Sequence, residues 1–417
     1  MKKLNVNVNE LPTGVFIGIM ILYSIMPVVA RFFSSVLTTY AYMIVLFALS
    51  LLIIFEHGMK TLAYNIYLIV PYVLLQLMDF LSFHGVSAST SDLFVWVYSI
   101  LLAFLPVMAA AYMFKEHKKF IKPMAVIAIV AVLVTAVTTT LGLYIYPDAA
   151  RFLATDFETE NAFYIRLGWM NVGGYETAYT LLLLYPLVIY AYKQRKIHLI
   201  TAIGISLLFF ICILRSQYTI ALLMFIVTTV LFFMKRDITT KHVWILLAAA
   251  AVLILIFWAF FSSLFEIMAR NVESKEISDR LLALSGGVDG LSNTEDQRLT
   301  LYMRSINSII SYPIIGGFWF GGLIGGHSYI LDIIAKWGIF GAAALFVIYR
   351  KIYTMFYKPY RLEKGFGYVL WIFLQTIFLS IINTGAWLNV LALFVPILLC
   401  FIDNKREIKS VRLKVKE

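Results

Sequence analysis

Residues 296–336 read DQRLTLYMRSINSIISYPIIGGFWFGGLIGGHSYILDIIAK. Arg298 and Arg304, glycines at 316, 317, 321, 322, 325 and 326, and a His327–Ser328 pair stand at the mouth of an apolar segment that also carries Asp332 and Lys336. Outward from this stretch nearly everything is apolar. Of 417 residues, 62% are hydrophobic, 16% aromatic and only 14% charged, far outside soluble globular usage. Runs of about 20 apolar residues, the length of a helical bilayer crossing, recur along the chain.

Crossings are expected near 13–30, 36–55, 61–80, 92–114 and 121–145, then 174–192, 197–214, 217–234 and 242–263, and finally 327–349, 366–384 and 386–402. The chain therefore reads as all-α and polytopic, a single transmembrane domain over 1–417 with about twelve helices. Two polar segments interrupt it: a first long loop at 146–173 and a larger one at 264–326, between helices 9 and 10. The start, MKKLNVNVNELP, has the outline of a signal peptide, but its polar lead is long and the helix count calls for an uncleaved first span.

The net charge of +11 would suggest nucleic acid in a soluble domain, yet it follows the loops. Lys2, Lys3, Lys60, the Lys115–Lys122 cluster, Lys193–Lys196, Lys235–Lys241, Arg350–Lys364 and the tail from Lys405 all fall on the side of both termini. Asp148, Asp156, Glu158, Glu160 and the acidic residues between Glu266 and Asp296 fall in the two long loops. Basic residues accumulate in cytoplasmic loops. Both termini are thus expected in the cytoplasm, and the two long loops outside. No nucleic-acid partner is needed to account for the charge.

Cys212 and Cys400 both lie in apolar runs and build neither a disulfide framework nor a zinc site. No HExxH or GxSxG pattern occurs, so hydrolase readings lack support. Loop lengths show no internal repeat, which favours one asymmetric bundle over an inverted-repeat transporter. Within 264–326 the amphipathic half, with Leu301, Ile306, Ile309 and Ile310 at helical spacing, is expected to lie along the membrane surface.

Arginines on the outer side need a reason beyond topology. Arg31, Arg151, Arg166, Arg215, Arg270, Arg280, Arg298 and Arg304 are placed there, and guanidinium groups hold phosphate oxygens in a bidentate fork. Arg304 also reads as a snorkelling contact to ordinary headgroups, and Arg215 as a turn cap. The glycines break the helix before His327 and suggest a re-entrant or hinge loop lining a cavity, the setting in which irregular backbone is tolerated at membrane depth. A helix N-terminus disfavours a protonated ring, so His327 suits the role of a neutral base; a structural histidine is the rival reading. Asp332 and Lys336, at i and i+4, are expected to pair. Asp156, Glu158 and Glu160 read as a solvated acidic loop in preference to a metal site.

On the R-x(14)-PIIGG run from Arg298 through Gly317, the GGHSYILDIIAKWGIFGAAALF stretch (325–346) and the span plan with its late outer loop, the chain resembles the polysaccharide polymerase and O-antigen ligase superfamily of bacterial envelopes. The resemblance implies a glycosyltransferase architecture of the GT-C kind in the bacterial cytoplasmic membrane. Without cofactor or metal, such a protein transfers a glycan from polyprenyl diphosphate to an acceptor glycan hydroxyl on the outer face. It also implies that Arg298 holds diphosphate and His327 activates the acceptor; beside them, Arg215, Arg304, Arg166, Ser328 and Asp332 are expected to contact substrate. A chain-length regulator and a flippase of the same pathway are the implied protein partners. The family's Ser-Arg pair is displaced, this chain having Arg215-Ser216-Gln217, and Ser328 stands where ligases often have asparagine, which leans toward a polymerase. A ligase for finished polymer and a lipid-linked glycan flippase are the alternatives.

Overall fold

The computed structural model describes residues 11–36, 70–71, 73–75, 77, 118–155, 162–234, 238–256, 267, 270–271, 278, 294–358, 365–385 and 387–403. No strand occurs among them. The helices are α1 (Leu11–Ile25), α2 (Pro27–Val36), α3 (Lys118–Ile145), α4 (Ala149–Thr155), α5 (Ala162–Trp169), α6 (Tyr175–Lys193) and α7 (Leu199–Arg215). They continue with α8 (Thr219–Phe233), α9 (Thr240–Ile256), α10 (Thr294–Ser311), α11 (Tyr329–Ile352), α12 (Phe366–Ile382) and α13 (Val395–Ile402). The expected crossings at 36–55 and 92–114, most of 61–80, Arg280, and Asp156, Glu158 and Glu160 lie outside the described residues.

Phe120–Ile145 and Tyr329–Met355 are long and apolar enough to cross a membrane. Gly14–Ile25 and Pro27–Phe33 add a third if the two pieces form one crossing, and Leu199–Arg215, Thr219–Phe233, Thr240–Leu253, Phe366–Ile382 and Val390–Ile402 are shorter apolar helices. Their apolarity gives the chain the character of a membrane protein.

The expected straight span at 13–30 is bent by 113° at Met26. Pro27 has no N–H to continue the α1 ladder and is preorganised to begin a new helix. The exposed start of α2 is satisfied from afar: the Val28 N–H donates to Asn171 Oδ1 at 3.2 Å. Asn171, in the left-handed region at φ 56, is itself held by Thr135 and Thr138 of α3.

Side-chain pairs fix how the helices run. Gly14 packs on Phe120, and Gly18 on Met124 and Ile127, so α1 and α3 are parallel. Tyr185 stacks on Phe225 at 4.1 Å and Tyr192 meets Phe232, so α6 and α8 are parallel. Trp371 Nε1 donates to Thr228 Oγ1 at 3.1 Å while Tyr190 meets Tyr368, which sets α12 antiparallel to both. Trp337, Trp371, Tyr179, Tyr185, Tyr357 and Tyr368 fill the interior.

The bundle has two chemically distinct ends. At one, Lys193 Nζ donates to the Phe232 and Met234 carbonyls at 2.6 and 3.0 Å, closing the last turn of α8, and Tyr190 donates to Asp403 at 2.8 Å. At the other lie the C-termini of α3, α7 and α12 and the N-termini of α6, α8 and α11. The candidate site residues with described positions are gathered toward this second end.

Candidate functional site

Helix α11 holds a break that apolar periodicity did not reveal. Gly338, at φ 57 and ψ −137, lies in a region that is essentially glycine-only, so the expected continuous helix over 327–349 is two pieces. A break at this point frees the Ile339 N–H and the Ala335 carbonyl from each other. The Ile339 N–H donates to Ile314 O at 3.1 Å, and Ala335 O accepts from the Gly317 N–H at 2.8 Å and from Ser308 Oγ at 3.3 Å. The glycine-rich loop thus replaces the lost helical bond with cross-chain bonds. Close approach at Gly316, where a Cβ would collide with the Lys336 carbonyl, makes this possible.

The face of α10 that packs on this unit is small and hydroxylated. Ser305 and Ser308 are buried, whereas Met303, Ile310 and, beyond the helix, Ile314 and Ile315 are exposed. Ile310 therefore looks out, Leu301, Ile306 and Ile309 are half-buried, and the serines look in. Ser305 Oγ donates to Asp332 Oδ1 at 2.5 Å and accepts from the Gly325 N–H at 2.9 Å.

Ser328 is the N-cap of α11. Its Oγ accepts from the Leu331 N–H at 3.0 Å, and its own N–H donates to Asp332 Oδ2 at 2.9 Å. This is a reciprocal capping arrangement, with the carboxylate one position later than in the usual box and placed where the helix dipole favours an anion. The two contacts described for Asp332 run to Ser305 and Ser328, and Ser328 is fully buried. As placed, both groups serve the start of α11 and its union with α10.

His327, exposed, immediately precedes the N-cap and follows Gly326 at φ 76. Arg298 lies on α10 two turns before Ser305, and Arg304 is exposed beside Ser305. Arg215 closes α7 with its guanidinium 4.0 Å from the centre of the Tyr144 ring, and Arg166, in the last turn of α5, lies 5.7 Å from that of Tyr146. These two arginines therefore share the C-terminal end of α3, each held by a cation–π contact. Arg31 packs its stem on Gly168; Arg151 is on α4, and Arg270 is exposed.

The two groups of arginines are joined by the end of α12. Tyr302 of α10 donates to Ile382 O at 2.6 Å, and the Tyr329 N–H donates to Asn383 O at 2.8 Å. Four residues on, Trp387 meets Tyr175 and Tyr179, which in turn meet Tyr218, three residues past Arg215. Sequence reasoning passed over Asn383, Trp387, Asn389 and Glu176 in this bridge. The run NTGAWLN (383–389) fell almost wholly within the expected crossings at 366–384 and 386–402, although its two asparagines and its tryptophan were an available sign of polarity.

No protein-family model, curated protein or solved structure matches the chain.

Proposed function

We propose that the chain is a membrane glycosyltransferase that joins polyprenyl-diphosphate-linked repeat units into a surface polysaccharide. In this reading about twelve helices, in a GT-C-like arrangement, cross the bacterial cytoplasmic membrane with both termini inside and the His327 end facing outward. The observation that carries it is the clamp of Ser305, Asp332 and Ser328, which fixes the arginine-bearing helix α10 to the histidine-bearing start of α11.

In the reaction, neutral His327 takes the acceptor hydroxyl proton while the acceptor oxygen bonds to the anomeric carbon from the face opposite the leaving group. The carbon–oxygen bond to diphosphate breaks, its electron pair stays on the polyprenyl diphosphate, and the configuration inverts. Arg298, with Arg304 beside it and Arg215 and Arg166 across the end of the bundle, offers fixed positive charge to the departing anion, where preorganised donors act most strongly. Chain-length control and flipping of the repeat unit belong to separate partner proteins.

The test is to incubate purified protein with lipid-linked repeat units alone. A ladder of products of increasing length is expected. Units that stay single, or that move between vesicle leaflets without lengthening, overturn the reading.

A further inference from the structure

Between α12 and the turn that opens at Val390, the segment from Asn383 to Asn389 concentrates groups that the fold leaves unused. Trp387 is held at φ 44, an outlier for a bulky residue, and is only 8% exposed. Its indole Nε1, Asn383 Nδ2 and Asn389 Oδ1 are buried and have no hydrogen-bond partner among the described residues. Buried polar atoms are paired in the great majority of cases, and leaving one unmade is costly. Three such atoms within one short, strained segment point to a ligand.

The surroundings define its class. The Trp387 ring lies 6.1 Å from Tyr175 and 5.2 Å from Tyr179, and Tyr218 lies 5.3 Å from Tyr175. Glu176, next to Tyr175 in the first turn of α6, is exposed and has no hydrogen bond or ion pair with another described residue. The segment thus offers two N–H donors and an amide acceptor among aromatic rings, with the Glu176 carboxylate following Tyr175 in sequence. Phosphate is held by cations or by rows of N–H donors, and a set that includes an amide acceptor and a carboxylate suits it poorly. Hydroxyl groups, which donate and accept at once, match a mixed set, and the apolar face of a sugar ring suits a half-buried tyrosine such as Tyr175. Strain of this kind tends to be kept where a ligand is held.

We propose that Asn383, Trp387, Asn389 and Glu176, with Tyr175, form a saccharide-binding subsite. Asn383 O holds the Tyr329 N–H, two residues from His327, so the subsite seats the acceptor end of the glycan next to the base. Only the word acceptor rests on the glycosyl-transfer reading; saccharide binding stands on the side chains themselves.

The test places a benzophenone amino acid at exposed Thr384 of the full chain in its native membranes, with the same probe at Ile310, 71% exposed, as a positive control for photochemistry. After irradiation the purified protein is examined for periodate-oxidisable sugar and by mass spectrometry. A saccharide-bearing adduct at 384 is expected. Its yield should fall about tenfold in Glu176→Gln and in Asn383→Ala, the factor for one unmade polar contact, while protein amount and melting temperature hold. An adduct of lipid or protein without sugar, no adduct at 384 while 310 reacts, or a yield indifferent to both substitutions overturns the subsite. A saccharide adduct together with no lengthening of lipid-linked units leaves the subsite standing and removes the polymerase reading. Lengthening without a saccharide adduct does the reverse.

Discussion

Asp332 joins two elements with one carboxylate, and what it does can be separated from what Arg298 does by substitution. Asp332→Ala strips Ser305 and the Ser328 N–H of their acceptor at once, and hydrogen bonds to charged groups contribute about 1.5–3 kcal/mol each. A melting temperature lowered by several degrees, read by fluorescence in detergent, is expected, with activity falling in step. Ser328→Ala removes an N-cap and should cost about 1 kcal/mol while retaining chain growth; loss of growth at unchanged stability would instead make Ser328 a substrate contact. Arg298→Ala should behave oppositely, reducing chain growth by about 10² to 10³ with protein abundance unchanged. Normal polymer length in that variant removes Arg298 from the reaction. His327 and the glycines were legible as residues because their position at a helix start states their chemistry. The clamp through Asp332 was not, since half of it depends on Ser305 of a separate helix, and Lys336, four residues on, competed as a partner with Ser328, four residues back.

At the scale of the element, the instructive case is α11. Its run of apolar residues correctly announced a helix, and glycines such as Gly338 and Gly341 within such a run are tolerated, so nothing local marked Gly338 in particular as a break. The break is written elsewhere, in the Ile314 carbonyl and the Gly317 N–H that take over the freed groups. Gly338→Ala should cost about 1–3 kcal/mol in backbone strain alone, with more from the contact with the Ile314 carbonyl. Thermal unfolding measures this; an unchanged melting temperature would show that the bond across to Ile314 is dispensable. The Pro27 bend was more accessible to sequence reasoning, because proline carries its own explanation. In α10 the helical period was legible, but the inward place of Ser305 and Ser308 was not, because it follows from close packing against glycines, which needs small side chains whose hydroxyls find partners.

For the molecule as a whole, the alternation of basic and acidic loops foresaw a two-ended bundle, and the parallel and antiparallel pairs agree with it among the described helices. Orientation is testable with single cysteines in a chain whose Cys212 and Cys400 are replaced by alanine. A membrane-impermeant thiol reagent applied to intact cells is expected to label Thr384→Cys and to spare Gln194→Cys until the membrane is opened. The reverse pattern would turn the protein over and remove outward glycosyl transfer.

The shortness of the helices has a consequence for the surrounding lipid. Thr219–Phe233 has 15 residues and Phe366–Ile382 has 17, a rise of roughly 22 and 26 Å against a hydrocarbon layer of roughly 30 Å. In the proposed arrangement, where such elements cross the bilayer, the leaflets dimple inward around them at a cost of fractions of a kcal/mol for each ångström. A thinned annulus brings the headgroup plane down toward the buried polar end of the bundle. For the polyprenyl donor of the proposed reaction, that annulus is the least crowded lodging among ordered acyl chains.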